Sequence, residues 1–241
     1  IAALGADVVA IQEIAEGERF DELLDLLPHH GGYRATSDRY INLGYVWLDS
    51  TVTVRSVAEL RPDVEDVWRF FLRWPLVLEI TWQGRELALV NNHLKCCGNG
   101  RLEPDDPDDE EWRRLRACEL LADHLTMAYP DRNAILLGDL NDLLDDAPAH
   151  NVFAPFLDAP DRFRFADMAV ATGPVSGWSW GPGESHIDHV LVNAPLFAAL
   201  AADGGRCFTV RLDQALNGQA YNDLLSDHVP VALVLPGPAI P

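Results

Sequence analysis

The sequence predicts an α+β fold in which most strands pair antiparallel. Short apolar runs typical of strands outnumber the helical patterns, the helical patterns are scattered among them, and a two-residue turn joins two runs into a hairpin. The chain has 241 residues, 48% of them apolar, which is enough to bury a substantial core. We therefore expect one domain over residues 1–241.

The first elements are a buried strand, a helix and two more strands. Residues 7–13 (DVVAIQE) form a short β-branched run that ends in polar groups, as a buried strand does. Apolar side chains recur on one face of residues 16–27, and the proline and glycines within residues 28–32 end this helix. Residues 45–48 and 52–54 have the composition of strands.

The middle of the chain contains the hairpin, an acidic loop and the longest helical pattern. Residues 77–90 are two strand-like runs around the dipeptide QG, which suits a two-residue turn. Residues 98–111 form an acidic loop, which we expect to be solvated, with a weak cation site as the alternative. Apolar residues recur at helical spacing over residues 112–125.

The last part alternates strands with irregular chain. Residues 134–137 predict a buried strand that runs into the sequence GDLN. Residues 142–184 are irregular, and we expect their tryptophan-rich segment, residues 178–183, to be a packed surface loop, with lining of a site as the alternative. The remaining elements are two strands and a frayed tail, at residues 190–192, 229–235 and 236–241.

The charge of the chain argues against tight nonspecific binding to nucleic acid. The net charge is −20, and Lys95 is the only lysine beside the arginines. Phosphate backbones repel such a surface unless basic groups cluster locally, and no basic, aromatic-rich insertion for gripping duplex DNA is present in the sequence. No apolar run approaches the roughly 18 residues that a transmembrane helix needs.

Four cysteines are present, at positions 96, 97, 118 and 207. They form no C-x-x-C pair, so a zinc ribbon is not expected. Adjacent cysteines rarely pair, because their side chains diverge. Either Cys96 or Cys97 bridges Cys118 or Cys207 in an oxidising compartment, or the thiols are free and buried.

Polar clusters lie at one end of five predicted strands. QE, NNH and DLN follow the three earlier strands, whereas SHIDH and SDH precede the two late ones. If the late strands run opposite to the earlier ones, all five clusters meet at one edge, although each alone could simply cap or turn the chain. The side chains brought together would be Glu13, Asn91, His93, Asp139, Asn141, Asp188, Asp227 and His228.

These side chains suit metal-assisted hydrolysis of a phosphate ester. Carboxylates without cysteines favour a hard, oxygen-binding cation, so we expect Mg²⁺ or Mn²⁺ rather than Zn²⁺. Such a cation offsets charge on the phosphoryl oxygens and helps to supply hydroxide. Histidine exchanges protons near neutral pH, and asparagine donates an N–H to a phosphoryl oxygen or to water.

The motifs, in this order, resemble the endonuclease/exonuclease/phosphatase superfamily. The matching stretches are DVVAIQE, NNHL, GDLND, SHIDHVLV and SDHVPV, and they span nearly the whole chain. The resemblance implies a four-layer α/β sandwich, with two packed, mostly antiparallel β-sheets flanked by helices. It also implies a phosphodiesterase, most simply a nuclease acting on DNA or RNA. The alternatives are a phosphatase or phospholipase C-type enzyme for inositol phosphates or sphingomyelin-like lipids, and a non-catalytic binding module.

The resemblance also implies metal and water roles. Glu13 is similar to the principal metal ligand of the family, and Asp227 to a residue that serves a metal. Asp139 matches the group that orients or activates the attacking water. The family opens with a strand that carries an asparagine near the metal. This chain begins near the end of the following helix, so we expect the natural protein to possess that strand in addition.

Other residues match the phosphate-contacting groups of the family. Asn141 is similar to its phosphate-contacting asparagine, and His228 to the histidine that touches the scissile phosphate and pairs with Asp188. His93 matches the second histidine, a phosphate ligand or proton donor. Asn91 and Lys95 are predicted to bind the substrate. For Lys95 the alternative is an exposed loop lysine without such a role. We expect a monomer. Family members with such cysteines favour a secreted or periplasmic location, with the cytoplasm as the alternative.

Overall fold

The computed structural model describes residues 1–37, 41–181 and 183–237. The strands in these residues are β1 (Val8–Ile14), β2 (His30–Arg34), β3 (Asn42–Leu48), β4 (Val52–Glu59), β5 (Leu76–Trp82), β6 (Arg85–His93), β7 (Asn133–Asp139), β8 (Phe163–Phe165), β9 (Asp188–Asn193), β10 (Arg206–Thr209) and β11 (Val231–Val234). The helices are α1 (Gly17–Asp25), α2 (Val67–Phe70), α3 (Glu110–Ala128), α4 (Ala154–Leu157), α5 (Met168–Ala171), α6 (Phe197–Ala201), α7 (Leu212–Leu216) and α8 (Gly218–Leu224). None of these helices is both long and apolar enough to cross a membrane.

Two sheets form the centre of the molecule. The large sheet has six strands in the order β4-β5-β6-β7-β9-β8, and the small sheet has three in the order β1-β3-β2. All neighbouring strands are antiparallel except β6 and β7, which are parallel and are linked through α3. β10 and β11 form a separate antiparallel pair. The predicted predominance of antiparallel pairing is therefore confirmed.

Three apolar cores define four layers. The inner core lies between the sheets, where Tyr45 of the small sheet meets Leu78 and Leu89 of the large one. On the outer face of the large sheet, Leu121 of α3 packs with strand residues of β6 and β7. On the outer face of the small sheet, Phe20 of α1 packs against β1 and β3. The order helix, sheet, sheet, helix is the α/β sandwich that the resemblance implies.

Several elements differ from the sequence expectation. Gly31 and Gly32 do not end the first helix but lie inside β2. A Cβ on Gly31 would overlap the Trp47 ring and one on Gly32 would overlap Leu24, so close packing explains these glycines better than a turn does. The stretch expected to be irregular, residues 142–184, contains α4, β8 and α5. In the predicted tail, residues 238–241 lie outside the described part of the chain.

The predicted hairpin and the long helix have clear local causes. Gln83 and Gly84 connect β5 to β6 with φ angles of 48° and 76°, the left-handed pair that a tight hairpin turn requires. α3 begins at an N-cap, because the Asp109 carboxylate accepts the Trp112 N–H at 2.7 Å. The acidic loop before α3 therefore supplies a helix cap.

Candidate active site

Three predicted side chains form one row across adjacent strands of the large sheet. His93 on β6 lies opposite Asp139 on β7, and Asp139 lies opposite Asp188 on β9. Each of the three lies on the strand face that points to the inner core. Other residues on the same faces, such as Leu89 and Ile135, fill that core. Because strand side chains alternate with period two, the same face that buries apolar groups presents polar ones at its end.

His93 lies beside two carboxylates. Its Nε2 is 3.4 Å from Asp139 Oδ2 and 3.9 Å from Glu13 Oε1, and its side chain is 3% exposed. Burial, together with the positive charges of Arg73 and His228, lowers the pKa of His93 to about 3. A neutral imidazole at pH 7 follows, with one ring nitrogen as donor and the other as acceptor.

His228 is paired with Asp188. The His228 Nδ1 lies 2.8 Å from Asp188 Oδ2. Burial alone would lower its pKa, but the hydrogen bond and charge of Asp188, helped by Asp139 and Asp227, raise the pKa of His228 to about 9. The Tyr221 hydroxyl donates to the His228 carbonyl at 2.8 Å and fixes its backbone. His228 is therefore an oriented imidazolium at neutral pH.

Asp139 ends β7 in a tight turn. Gly138 has φ of 126°, and a Cβ there would overlap the Asn92 carbonyl, so only glycine fits before this aspartate. The Asn141 N–H donates to Asp139 Oδ1 at 3.0 Å. Burial and the charge of Asp188 raise the pKa of Asp139 to about 7.

Glu13 reaches the site because β1 is irregular. The pairing of β1 with β3 shifts register between Ile11 and Ile14, and Glu13 has φ of 61°. In a regular strand Glu13 would share the face of Ile11, which packs toward α1. The irregularity directs it instead toward His93, with 65% of its side chain exposed.

Contrary to the prediction, the Asn91 side chain does not face the active site. Its side chain is buried between the sheets, where Nδ2 donates to the carbonyls of Ile11 and Gly44 at 3.1 Å each. Its Oδ1 accepts the Gln12 Nε2–H at 2.7 Å. Both amide protons are therefore used, and the substrate contact expected for Asn91 is replaced by a link between β6 and the small sheet.

Asp227 and Lys95 also have partners away from the row. The exposed Asp227 carboxylate accepts the Trp180 Nε1–H at 3.1 Å through Oδ2, which leaves Oδ1 as the oxygen that could serve a metal. Lys95 Nζ donates to the Cys96 carbonyl at 2.8 Å and lies 3.6 Å from Glu110 Oε1.

Arg73 is a site residue that the sequence reasoning missed. Burial lowers the pKa of this guanidinium, while the charges of Glu13, Cys96 and Asp139 act in the opposite direction. Its Nε is buried without a hydrogen-bond partner among the described residues. Arg73 lies in irregular chain between α2 and β5, where no motif marks it, and only its place in a short R-W-P sequence before a strand distinguishes it.

The donor set fits a hard divalent cation. Glu13, Asp139 and Asp188 bring carboxylates close enough for their charges to raise the pKa of Asp139. Such crowding is unfavourable until a cation offsets it, and carboxylate oxygens are the ligands that Mg²⁺ and Mn²⁺ prefer. Glu13, the exposed member, is the carboxylate available to hold the ion.

A second group of possible ligands is fully buried. Asp167, His186 and His189 bring three ligand-type atoms within 4.8 Å of one another. Asp167 Oδ2 lies 3.0 Å from His186 Nε2 and 2.6 Å from His189 Nδ1, so these atoms already satisfy one another. The group is a hydrogen-bonded support behind the row.

Known structures share this fold at low sequence identity. TDP2 from D. rerio complexed with a single-strand DNA product is 17% identical, with a TM-score of 0.65 over 96% of this chain and 86% of that one. An endonuclease/exonuclease/phosphatase from Bacteroides vulgatus is 17% identical, with a TM-score of 0.63 over 98% and 87%. The mannosyl-6-phosphatase of Bacteroides thetaiotaomicron is 15% identical, with a TM-score of 0.62 over 97% and 87%. No curated protein matches the chain.

The four-layer fold and the row of His and Asp side chains agree with a family comparison that covers nearly every motif of the chain. The Endonuclease/Exonuclease/phosphatase family matches residues 1–228. The chain therefore belongs to the endonuclease/exonuclease/phosphatase family of phosphoester hydrolases.

Proposed function

We propose that the protein is a Mg²⁺- or Mn²⁺-dependent phosphodiesterase, most simply a nuclease. The observation that carries this proposal is the row of neutral His93, Asp139 and Asp188, with the His228 imidazolium bonded to Asp188 and with Glu13 beside His93. His93 and Asp139 lie 3.4 Å apart, and Asp188 and His228 lie 2.8 Å apart. Phosphodiester hydrolysis needs groups that accept a proton and groups that stabilise negative charge, and this row supplies both.

Each side chain has a definite task in this proposal. Asp139, whose Oδ1 accepts the Asn141 N–H at 3.0 Å and is thereby held in place, orients the attacking water and accepts its proton. His228, held by Asp188, contacts a non-bridging phosphoryl oxygen and stabilises the charge that develops there. Asn141 donates its amide N–H to the phosphate. A bound Mg²⁺ or Mn²⁺ at Glu13 supplies further neutralisation of the phosphoryl oxygens.

Arg73 and His93 complete the phosphate side of the site. The unpartnered Arg73 Nε–H suits an anionic oxygen, because guanidinium and phosphate form strong charge-assisted hydrogen bonds. Neutral His93 shares a hydrogen bond with the phosphate or the leaving oxygen.

A phosphatase or phospholipase C-type activity is the second candidate. The net charge of −20 and the single lysine favour a small or lipid-linked phosphate ester over long DNA. The fold similarity to a mannosyl-6-phosphatase is compatible with this alternative. The catalytic groups would be the same, and only the substrate would differ.

Hydrolysis assays separate these candidates. Plasmid DNA, bis(p-nitrophenyl) phosphate and a panel of phosphomonoesters are incubated with Mg²⁺, Mn²⁺ or EDTA. We expect EDTA to abolish cleavage, and Asp139→Asn or His228→Ala to reduce kcat by about 10²-fold or more, as loss of a key transition-state contact does. Asp145→Asn, an exposed aspartate in the same loop, is the matched control and keeps full activity.

The outcomes discriminate clearly. Cleavage of the small diester without DNA would direct the search to lipids and sugar phosphates. Turnover that survives both substitutions would reject the assigned mechanism. A folded protein that hydrolyses none of these esters would favour the non-catalytic binding module.

A further inference from the structure

Cys96 and Cys97 form a close thiol pair at the surface. Their Sγ atoms are 3.0 Å apart and both residues are exposed. Adjacent side chains normally diverge, but Cys97 has φ of 71° and Gly98 has φ of 113°, so the backbone turns sharply here. The two side chains therefore approach each other here without forming a disulfide. Of the two alternatives left open by the sequence, a bridge to Cys118 or Cys207 is absent and all four thiols are free, although Cys96 and Cys97 are exposed rather than buried.

The surroundings favour reaction at this pair. Lys95 Nζ lies 3.9 Å from Cys96 Sγ, and a nearby ammonium stabilises a thiolate. The Cys97 thiol donates to Cys96 Sγ, and this hydrogen bond, together with burial and the charge of Cys96, raises the pKa of Cys97. By contrast, burial raises the pKa of Cys118 and of Cys207, which leaves both as unreactive thiols.

The pair is connected to the catalytic turn by two routes. Along the chain, the Leu94 N–H donates to the Asp139 carbonyl at 3.0 Å. Through space, Arg114 Nη1 donates to the Cys97 carbonyl at 2.7 Å, and its Nε donates to Asp142 Oδ2 at 2.8 Å. Arg114 is buried, so these bonds hold the cysteine loop rigidly against the turn that carries Asp139.

Cys96 also interacts electrostatically with Arg73. The charge of Cys96 acts on Arg73 together with the charges of Glu13 and Asp139. Cys96 is therefore near enough to the guanidinium proposed to meet the substrate for a thiolate there to act on it.

We propose that Cys96 and Cys97 are a redox modification site, at which a hydroperoxide closes a vicinal disulfide and lowers hydrolytic activity. The Cys96 thiolate attacks the peroxide, which leaves a sulfenic acid on Cys96 and releases an alcohol, or water from hydrogen peroxide. The Cys97 sulfur then attacks the sulfenic sulfur, forms the S–S bond and expels water. In sum, two thiols and one hydroperoxide give one disulfide, one alcohol and one water.

Closing the bond must disturb the loop. The sulfur atoms move from 3.0 Å to a bond of about 2.05 Å, within an eight-membered ring that contains the Cys96–Cys97 peptide. The Cys97 carbonyl then shifts relative to Arg114, and the strain reaches Asp142 and Leu94. A misplacement of about 1 Å in a catalytic group costs up to about 10²-fold in rate, so we expect kcat/KM to fall on the order of tenfold or more.

The modification is tested by mass and by rate on the full chain. Protein treated with hydrogen peroxide is alkylated with iodoacetamide and digested with trypsin, which cuts after Lys95 and Arg101 and releases residues 96–101 with both cysteines. We expect this peptide to be unalkylated and lighter by two hydrogen atoms than its reduced, unalkylated form. Dithiothreitol should restore both alkylation and activity. The measurement of hydrolysis rate rests on the proposed function, whereas the measurement of peptide mass does not.

Single and double serine variants provide the controls. Cys96→Ser and Cys97→Ser each remove the bridge at an exposed position, and the double variant keeps Cys118 and Cys207. We expect all three to stay active after peroxide treatment. Three results would overturn the proposal. They are full alkylation of the peroxide-treated parent, a bridge that leaves kcat/KM unchanged, and a double variant that loses as much activity after peroxide treatment as the parent. A bridged protein that hydrolyses no ester would overturn the proposed function and the effect on rate, while supporting the modification itself.

Discussion

At the scale of single residues, position on a strand decides whether a polar side chain reacts or holds the fold together. Asn91 and His93 point to the same face of β6, yet only His93 reaches the row with Asp139 and Asp188. Asn91 lies one step deeper, where the small sheet covers it and its amide is saturated by Gln12, Ile11 and Gly44. The sequence motif NNH predicts the cluster but not this depth, because depth depends on how the second sheet packs.

Replacing Asn91 tests this positioning role. Asn91→Ala leaves two buried carbonyls and the Gln12 amide without partners, so we expect the free energy of unfolding to fall by about 3 kcal/mol. KM should change little, because the Asn91 side chain is buried and its amide is already paired with Gln12, Ile11 and Gly44. Urea denaturation and steady-state kinetics measure the two effects.

The control for Asn91 is Gln12→Met, which removes one of the three hydrogen bonds and should cost about 1 kcal/mol. A large rise in KM with unchanged stability would instead restore Asn91 as a substrate-binding residue.

At the scale of elements, the strands that carry the motifs could be predicted, and the details that aim the side chains could not. β1, β6, β7 and β9 were expected from short apolar runs, and they occur where the pattern places them. β2 was missed because its glycines resemble a turn, although they relieve contacts with Trp47 and Leu24. Arg73 was missed because irregular chain has no periodicity to read.

The irregular end of β1 is the element-scale feature on which the proposed metal site depends. Glu13 has φ of 61°, and left-handed backbone costs a residue with a side chain about 1–2 kcal/mol. The strain is maintained because it turns the Glu13 carboxylate toward His93. Function and stability therefore conflict at this position.

Glycine at position 13 should expose that conflict. We expect Glu13→Gly to increase the free energy of unfolding by about 0.5–1 kcal/mol, because glycine adopts positive φ freely but loses more chain entropy. Glu13→Gln keeps the strain and should leave stability near that of the parent. Both variants should lose metal-dependent activity. Thermal unfolding of the three proteins provides the comparison, and a Glu13→Gly protein less stable than Glu13→Gln would contradict the strain.

At the scale of the whole molecule, a buried ion pair links the loops behind the active site. His189 Nδ1 lies 2.6 Å from Asp167 Oδ2, and His189 Nε2 lies 2.9 Å from the Asp142 carbonyl. Because both ring nitrogens face oxygen acceptors, both carry protons and the ring is an imidazolium. The other groups around it are the His186 ring, the charge of Asp188 and the rings of Phe153 and Phe165.

This pair gives the stability of the molecule a defined dependence on pH. Burial alone would lower the pKa of His189, but the Asp167 charge and hydrogen bond raise it above the ordinary value. Burial would raise the pKa of Asp167, but the two histidines lower it. The histidine part of the stabilisation is complete below about pH 6.5 and is lost as the pH rises through the folded-state pKa. The aspartate part is present above about pH 3.9 and is lost as the pH falls through the lowered value.

Substituting His189 should remove the part of the stability that is lost as the pH rises. We expect the difference in unfolding free energy between the parent and His189→Gln to be greatest between about pH 4 and 6.5, and to shrink above that by at most about 1.4 kcal/mol per pH unit. Subtracting the two proteins cancels the contributions of His93 and His228, which both retain. Asp167→Asn should flatten the profile in the same way, because it removes the charge that holds the proton on His189. Urea titrations at several pH values measure the difference, and one that stays constant from acid to alkaline pH would mean that His189 is buried as a neutral ring.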